Sequence, residues 1–174
     1  IFDFDPDDGV GWSELVTAVR LLRTLLDELG LVGFLKTTGG KGLHVVLPIR
    51  ATLTWDEAKD FTRGVAEFMV RTFGDRFTAT VSKARRKGKI FIDYLRNAEG
   101  ATAIAPYAVR ARVGAPVAMP IAWEDLDGGD VRFDHFNVRN AAQVLAKRRR
   151  DPWRDYFDVS QSITKAHRAR MGLG

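Results

Sequence analysis

Three aspartates in two short apolar stretches stand out for their chemistry. Asp3 and Asp5 alternate with Phe2 and Phe4, and Asp93 closes the run Ile90-Phe91-Ile92-Asp93. Residues two apart on a strand point the same way and lie about 6.5–7 Å apart. Two carboxylates at that distance repel by about 0.6 kcal/mol in water and about 2.5 kcal/mol at an effective dielectric near 20. A divalent cation converts that penalty into an attraction, and carboxylates with open water positions suit hard ions such as Mg2+ or Mn2+. An acid at the end of an apolar strand also needs a partner or a metal. If the Asp93 strand lies beside the first, three carboxylates meet at one end of a sheet. Three acids can hold two metals about 3.5–4 Å apart, as in-line phosphoryl and nucleotidyl transfer require. A plainer account also fits, with Asp3 and Asp5 at a solvated strand end and Asp93 paired with Arg96.

Thr38-Gly39-Gly40-Lys41-Gly42-Leu43-His44 forms a second group. Glycines let backbone N–H groups approach an anion closely. Thr38 adds a hydroxyl, Lys41 a point charge and His44 a ring nitrogen able to donate to a phosphate oxygen. The spacing is not that of a Walker A loop, and no helix pattern follows. An ordinary glycine hairpin with a core histidine has the same composition.

Arg96, Arg110 and Arg112 form a third group. If extended, Arg110 and Arg112 share a face, and guanidinium forks suit triphosphate oxygens. The basic run from Lys83 to Lys89, with Arg85, Arg86 and Lys87 between, can follow a nucleic-acid backbone, as can Lys147–Arg150. A solvated turn and a helix C-terminus account for these two runs equally well.

The elements that must position these residues follow from periodicity. Ile1–Asp5 reads as a strand ended by Pro6, with Asp7 or Asp8 capping the helix that follows. Apolar residues recur at Leu15, Val19, Leu22, Leu26 and Leu29, a helical stripe that Gly30 stops. Leu31–Lys36 and Leu43–Ile49 read as strands of a hairpin around the glycine loop. Thr54-Trp55-Asp56-Glu57 is a capping box, followed by a helical stripe through Phe61, Val65, Phe68, Met69 and Phe73. Phe77–Val81 and Ile90–Asp93 read as strands. Ala101–Val113 reads as extended or irregular, Trp123–Leu126 as a short turn or helix, and Asn137–Arg150 as a helix. From Pro152 the pattern is that of a loose basic tail. No repeat or linker interrupts the chain, so a single α+β domain over residues 1–174 is expected.

Of 174 residues, 45% are apolar and 28% charged, a globular composition. No stretch approaches the ~18 apolar residues of a membrane helix. The absence of cysteine excludes disulfides, thiolate metal sites, iron–sulfur clusters and a thiol nucleophile, and is compatible with a reducing cytosol. A net charge of +5 favours an anionic partner, nucleic acid first. The chain opens directly on a strand pattern without an initiator methionine, which predicts a fragment.

An acid pair, a glycine loop ending in histidine, and a single acid after an apolar strand, in that order, resemble the archaeo-eukaryotic primase superfamily. Phe2-Asp3-Phe4-Asp5-Pro6, Lys36–Val45, Phe91–Asn97 and Ala105–Arg112 look like the polymerase domain of bacterial ligase D in particular. The resemblance implies a primase-like core, a mixed and mostly antiparallel sheet flanked by helices, with an N-terminal part missing here. That part helps complete the nucleotide pocket in the family and carries much of the grip on the template's 5′-phosphate. The resemblance makes Asp3, Asp5 and Asp93 the catalytic metal ligands for two Mn2+ or Mg2+ ions. Thr38, Gly39, Gly40, Lys41 and His44, with Arg96, Arg110 and Arg112, would hold the incoming nucleoside triphosphate. Thr38 stands where the family often has serine, and the hydroxyl is kept.

The implied activity is template-directed nucleotide addition to DNA 3′ ends during non-homologous end joining, without a protein nucleophile. Implied partners are DNA ends in primer–template form, nucleoside triphosphates, Ku and a DNA ligase domain, in a bacterial or archaeal cytoplasm at the nucleoid. Lys83, Arg85, Arg86, Lys87 and Lys89 are the candidate nucleic-acid contacts. A non-catalytic DNA-end-binding module and a metal-dependent nuclease are the alternatives.

Overall fold

The computed structural model describes residues 1–129 and 131–174. Its centre is a six-stranded sheet in the order β4-β5-β1-β3-β2-β6. The strands are β1 (Phe2–Pro6), β2 (Phe34–Thr37), β3 (Leu43–Val46), β4 (Phe77–Thr78), β5 (Ile90–Asp93) and β6 (Pro120–Ile121). Every pairing is antiparallel except β4 with β5.

Alternation along the strands divides the sheet into two unlike faces. Phe2, Phe4, Leu35, Leu43, Val45, Ile90 and Ile92 point to one side. There they form a single apolar cluster with the buried stripes of α1 (Trp12–Glu28) and α2 (Trp55–Phe73). Asp3, Asp5, Lys36, His44 and Asp93 alternate with those residues and so share the opposite face.

The long helices follow their expected stripes. In α2, Thr54 accepts from the Glu57 N–H at 3.2 Å while Glu57 accepts from the Thr54 N–H at 2.9 Å. At α1 the cap differs from expectation. The chain turns at Gly11, whose N–H donates to Glu14 at 2.8 Å. Asp7 instead accepts from the Gly88 N–H at 2.8 Å, and Asp8 pairs with Lys41. Gly30 ends the turn after α1 at φ +67°, where a β-carbon would be strained.

Further expectations need correction, and the hairpin strands are shorter than expected, Phe34–Thr37 and Leu43–Val46. The strand expected over Phe77–Val81 stops after two residues. Arg86 takes the carbonyls of Thr80 and Val81 at 3.3 and 2.7 Å, and the Thr80 N–H bonds the Thr78 hydroxyl. The helix expected over Asn137–Arg150 contracts to α3 (Ala141–Lys147). Asn137 and Asn140 bond nearby backbone groups at 2.7–3.0 Å, competing with helical pairing. At the other end Arg148 turns extended and donates to the Pro120 carbonyl at 2.7 Å. The C-terminal segment is not loose. Trp153 donates to the Leu35 carbonyl at 2.8 Å, and its ring and that of Tyr156 pack on Phe34. Gln161 bonds both backbone groups of Val32 at 2.8 Å. An unexpected helix, α4 (Lys165–Arg170), carries the chain on to Met171, which is buried.

Candidate active site

Register on the polar face builds a row across four strands. Asp93 on β5 stands opposite Asp3 on β1, Asp3 opposite His44 on β3, and His44 opposite Lys36 on β2. Asp5 lies two residues along from Asp3, opposite Phe91. The three acids therefore share one face of the β1–β5 pair, Asp3 and Asp93 at its end and Asp5 two residues further in.

Specific contacts hold each acid. His44 Nε2 lies 3.2 Å from Asp3 Oδ1. Arg96 Nε lies 3.4 Å from Asp3 Oδ2 and 3.2 Å from Asp93 Oδ2. Asp93 Oδ1 accepts from the Leu95 N–H at 2.9 Å, which ties the carboxylate to the short 3-10 turn Leu95–Asn97. Asn97 on that turn donates to the carbonyls of Ile1 and Tyr94 at 2.7 and 3.0 Å and to the Thr62 hydroxyl at 3.1 Å. It thereby pins the start of β1 to the turn and to α2. Arg86 reaches Asp5 at 3.7 Å while its guanidinium stacks 3.6 Å above the Phe91 ring.

The charge states follow from these surroundings. Burial pushes the Asp3 carboxyl up, but the His44 N–H and the Arg96 cation outweigh it and hold Asp3 below its ordinary value. Burial, then the charge of Asp3, raises Asp5, with Arg86 opposing. Burial raises Asp93 against the Leu95 N–H and Arg96. Burial keeps His44 low despite its bond to Asp3, so the ring favours the neutral form. Lys36 is 2% exposed. Burial brings its ammonium down to about 8, with Asp3 opposing and Arg110 adding to the fall.

The glycine loop closes tightly over this row. The Thr38 hydroxyl donates to the Gly42 carbonyl at 3.1 Å and accepts from the Gly40 N–H at 3.2 Å, so it braces the loop from inside. Gly42 passes against β1 so closely that a β-carbon would sit 2.5 Å from the Phe4 carbonyl oxygen. Gly39, at φ +63°, leaves only 2.8 Å for a β-carbon beneath Arg110 Cγ. Arg112 Nη1 covers Gly40 in the same way at 3.0 Å. Arg110 Nη1 donates to the Thr38 carbonyl at 3.2 Å.

A cleft of about 710 Å3 opens between the acids, the glycine loop and the 102–112 segment. Asp3, Asp5, His44, Thr38, Gly40, Lys41, Arg96, Arg110 and Arg112 are among the residues that line it. Asp93 and Gly39 are not part of this lining. The basic run divides, with Lys83 and Arg86 on the cleft and Arg85, Lys87 and Lys89 outside its lining. Lys89 pairs instead with Asp75 at 3.8 Å.

Sequence reasoning gave no role to Lys36 or Asn97. The signal for Lys36 was a lysine inside an apolar strand, two residues before the loop and alternating with Leu35 and Thr37. Asn97 closes the stretch Phe91–Asn97, but only the fold shows that it reaches Ile1 and Thr62.

Among the described residues, no cluster of three or more His, Asp or Glu side chains is arranged to ligate a metal ion as it stands. Arg96 lies between the facing acids, and Arg86 engages Asp5. The donor set nonetheless suits a hard cation: all-oxygen carboxylates on one face, two of them raised by burial and ready to be stabilised by positive charge.

Residues 1–153 match the family model described as LigD, primase-polymerase domain. The chain is 43% identical over 175 residues to the multifunctional non-homologous end joining protein LigD of Pseudomonas aeruginosa, covering all of this chain and 21% of that protein. It is 36% identical over 132 residues to the multifunctional non-homologous end joining DNA repair protein LigD of Mycobacterium tuberculosis, covering 76% of this chain and 17% of that protein. The chain thus spans about a fifth of the length of these curated relatives. Among solved structures, the polymerase domain from Mycobacterium tuberculosis ligase D in complex with DNA superposes with a TM-score of 0.78 at 34% identity. That match covers 84% of this chain and 50% of that one. The polar row, the glycine loop and the arginines all lie within residues 1–153, and the chain belongs to the LigD primase-polymerase domain family.

Proposed function

We propose that this chain is a template-directed nucleotidyltransferase. It adds nucleotides to DNA 3′ ends in non-homologous end joining and releases pyrophosphate. Residues 1–174 are read as one domain, the C-terminal catalytic portion of a primase-polymerase domain. The observation that carries this reading is the placement of Asp93 directly across from Asp3, with Asp5 on the same face and the glycine loop alongside.

Asp3, Asp5 and Asp93 are the residues to hold two divalent cations, manganese or magnesium. Such ions, when bound, lower the pKa of a primer hydroxyl and stabilise charge on the departing pyrophosphate. The chain's own side chains do the rest. Lys41, His44, Arg96, Arg110 and Arg112 would offer donors or positive charge to the triphosphate, Gly40 on the cleft would allow its close approach, and Gly39 would act by admitting Arg110 beside the loop. Thr38 keeps the loop in shape through its two internal hydrogen bonds. To serve the triphosphate, His44 would give its Nε2–H to a phosphate oxygen in place of the Asp3 carboxylate that it faces at 3.2 Å. Arg96 occupies the space between Asp3 and Asp93, so it would have to turn aside, toward phosphate, for those carboxylates to hold a cation.

Lys83, Arg85, Arg86, Lys87 and Lys89 are read as the approach for DNA, with Arg86 reaching inward to Asp5. Ku and a ligase domain are the proposed protein partners, and the proposed setting is the bacterial or archaeal cytoplasm. Among the described residues no helix is long and apolar enough to cross a membrane.

Primer extension with manganese tests the reading. Asp3→Ala and Asp93→Ala should each abolish extension. Near-normal extension by either variant removes the acids from the reaction. Shortening of labelled DNA without nucleotides would favour a nuclease instead.

A further inference from the structure

Thr37, at the end of β2 where the glycine loop begins, is fully buried, and its hydroxyl is directed at one segment of backbone. The Thr37 N–H donates to the Met119 carbonyl at 2.9 Å. In a regular antiparallel ladder the Met119 N–H would return to the Thr37 carbonyl. It goes instead to the Thr37 hydroxyl, at 3.0 Å. The hydroxyl's own proton has the carbonyls of Val117 and Met119 within reach, at 3.4 and 3.5 Å. Met119 is fully buried, so its N–H has no water to turn to if that hydroxyl is lost.

The segment held in this way is the inner strand of the hairpin that carries Arg110 and Arg112. Val117 pairs with Val109, the Ala118 N–H meets the Ala108 carbonyl at 2.9 Å, and the Arg110 N–H meets the Pro116 carbonyl at 2.8 Å. The turn Arg112–Ala115 closes the hairpin with a 2.9 Å bond. Tyr107 leads into it at φ +64°, a backbone that a non-glycine residue keeps only where its surroundings fix it. Hairpin and glycine loop then meet without slack. Arg110 Nη1 donates to the Thr38 carbonyl at 3.2 Å. A β-carbon on Gly39 would lie 3.3 Å from the Pro116 carbonyl oxygen.

We propose that Thr37 is a positioning residue for Arg110 and Arg112. Its hydroxyl stands in for a ladder carbonyl, closes the junction between β2 and residues 117–119, and so fixes the arginine hairpin against the glycine loop. Serine can make the same bond, whereas valine, with nearly the same shape, cannot. The clamp stands on these bonds alone. Its consequence for nucleotide affinity rests on the reading of the two arginines as triphosphate contacts.

Amide hydrogen exchange tests the clamp. The chain has three methionines, so 15N-methionine labelling of the full chain, assigned with Met119→Leu and Met69→Leu, isolates both signals. Met69, fully buried in α2, reports on the fold as a whole. Thr37→Val should speed exchange at Met119 at least about tenfold more than at Met69, and Thr37→Ser should leave both near their wild-type rates. A wild-type Met119 amide that exchanges freely overturns the proposal without any variant. Equal acceleration at the two amides of Thr37→Val overturns it too, because Thr37 then acts on overall stability alone. So does a serine variant that exchanges at Met119 as fast as the valine one.

Binding of ATP with magnesium separates the two readings. Thr37→Val should weaken it about tenfold and Thr37→Ser no more than about twofold. Added to the double variant Arg110→Ala, Arg112→Ala, Thr37→Val should bring no further loss. A full further loss places its effect outside the arginines and overturns the proposal. If the double arginine variant itself binds ATP as the wild type does, the triphosphate role of the arginines fails, while the methionine amides still decide the clamp.

Discussion

Asp93 and Asp3 face each other across an antiparallel pair, and one guanidinium, that of Arg96, lies 3.2 and 3.4 Å from their Oδ2 atoms. Removing it leaves two largely buried carboxylates opposed. Arg96→Ala should therefore lower stability at neutral pH by about 1 kcal/mol, a modest figure because the arginine is partly exposed to solvent. Asp93 takes up a proton more readily in the fold than in the unfolded chain. The deficit should therefore shrink as pH falls through the range where Asp93 protonates. Urea denaturation at several pH values measures this, and millimolar manganese should restore the loss at neutral pH.

Asp93→Asn separates charge from shape. The amide oxygen still accepts from the Leu95 N–H, the bond that Asp93 makes at 2.9 Å. Stability should hold or rise, since burial already disfavours the charged form, while nucleotide addition should fall at least about 100-fold. A denaturation curve and a primer-extension assay on the same preparation check both halves.

Gly42→Ala tests how tightly the loop is built against β1. The new methyl would meet the Phe4 carbonyl oxygen at 2.5 Å. Neither backbone can yield without disturbing the Phe4–Leu43 pairing. A destabilisation of about 1–3 kcal/mol is expected, read as a lower urea midpoint. Gly88→Ala has open space but a φ of +68°. It should cost about 1–2 kcal/mol through backbone strain, leaving the loop and cleft intact.

Lys36→Met removes a buried charge. The fall of its ammonium from 10.5 to about 8 corresponds to a cost of about 3 kcal/mol for keeping it charged in the fold. Between those pH values the unfolded chain binds more protons than the folded one, so wild-type stability rises with pH there. The methionine variant should accordingly be the more stable protein at pH 7, by up to about 3 kcal/mol, with its advantage closing between pH 8 and pH 10.5. Thermal melts across that range check it.

Local chemistry made much of this legible beforehand. Thr54 and Glu57 announced α2 through a capping box, Ile90–Asp93 read as a strand from end to end, and the glycine loop joined two strands. Long-range placements stayed hidden. Nothing near Arg86 states that it folds back over Phe91 and Asp5. Lys36 looks like any strand lysine until β2 is placed between β3 and β6, where it is buried. The C-terminal stretch lacked a clear period because single side chains anchor it: Trp153 on Leu35, Gln161 on Val32, Arg168 on Glu57. Such contacts span more than a hundred residues and leave no local pattern.

The row Asp93–Asp3–His44–Lys36 also guards the pairing of the strands that carry it. Slipping any one of these strands by a single residue would turn its polar member into the helix-packed interior and bring a phenylalanine, leucine or isoleucine out. A mispaired sheet would therefore entomb an ion among hydrocarbon, an outcome far dearer than a lost hydrogen bond. The side chains assembled for phosphate chemistry thus also act, during folding, as a check against wrong alignments.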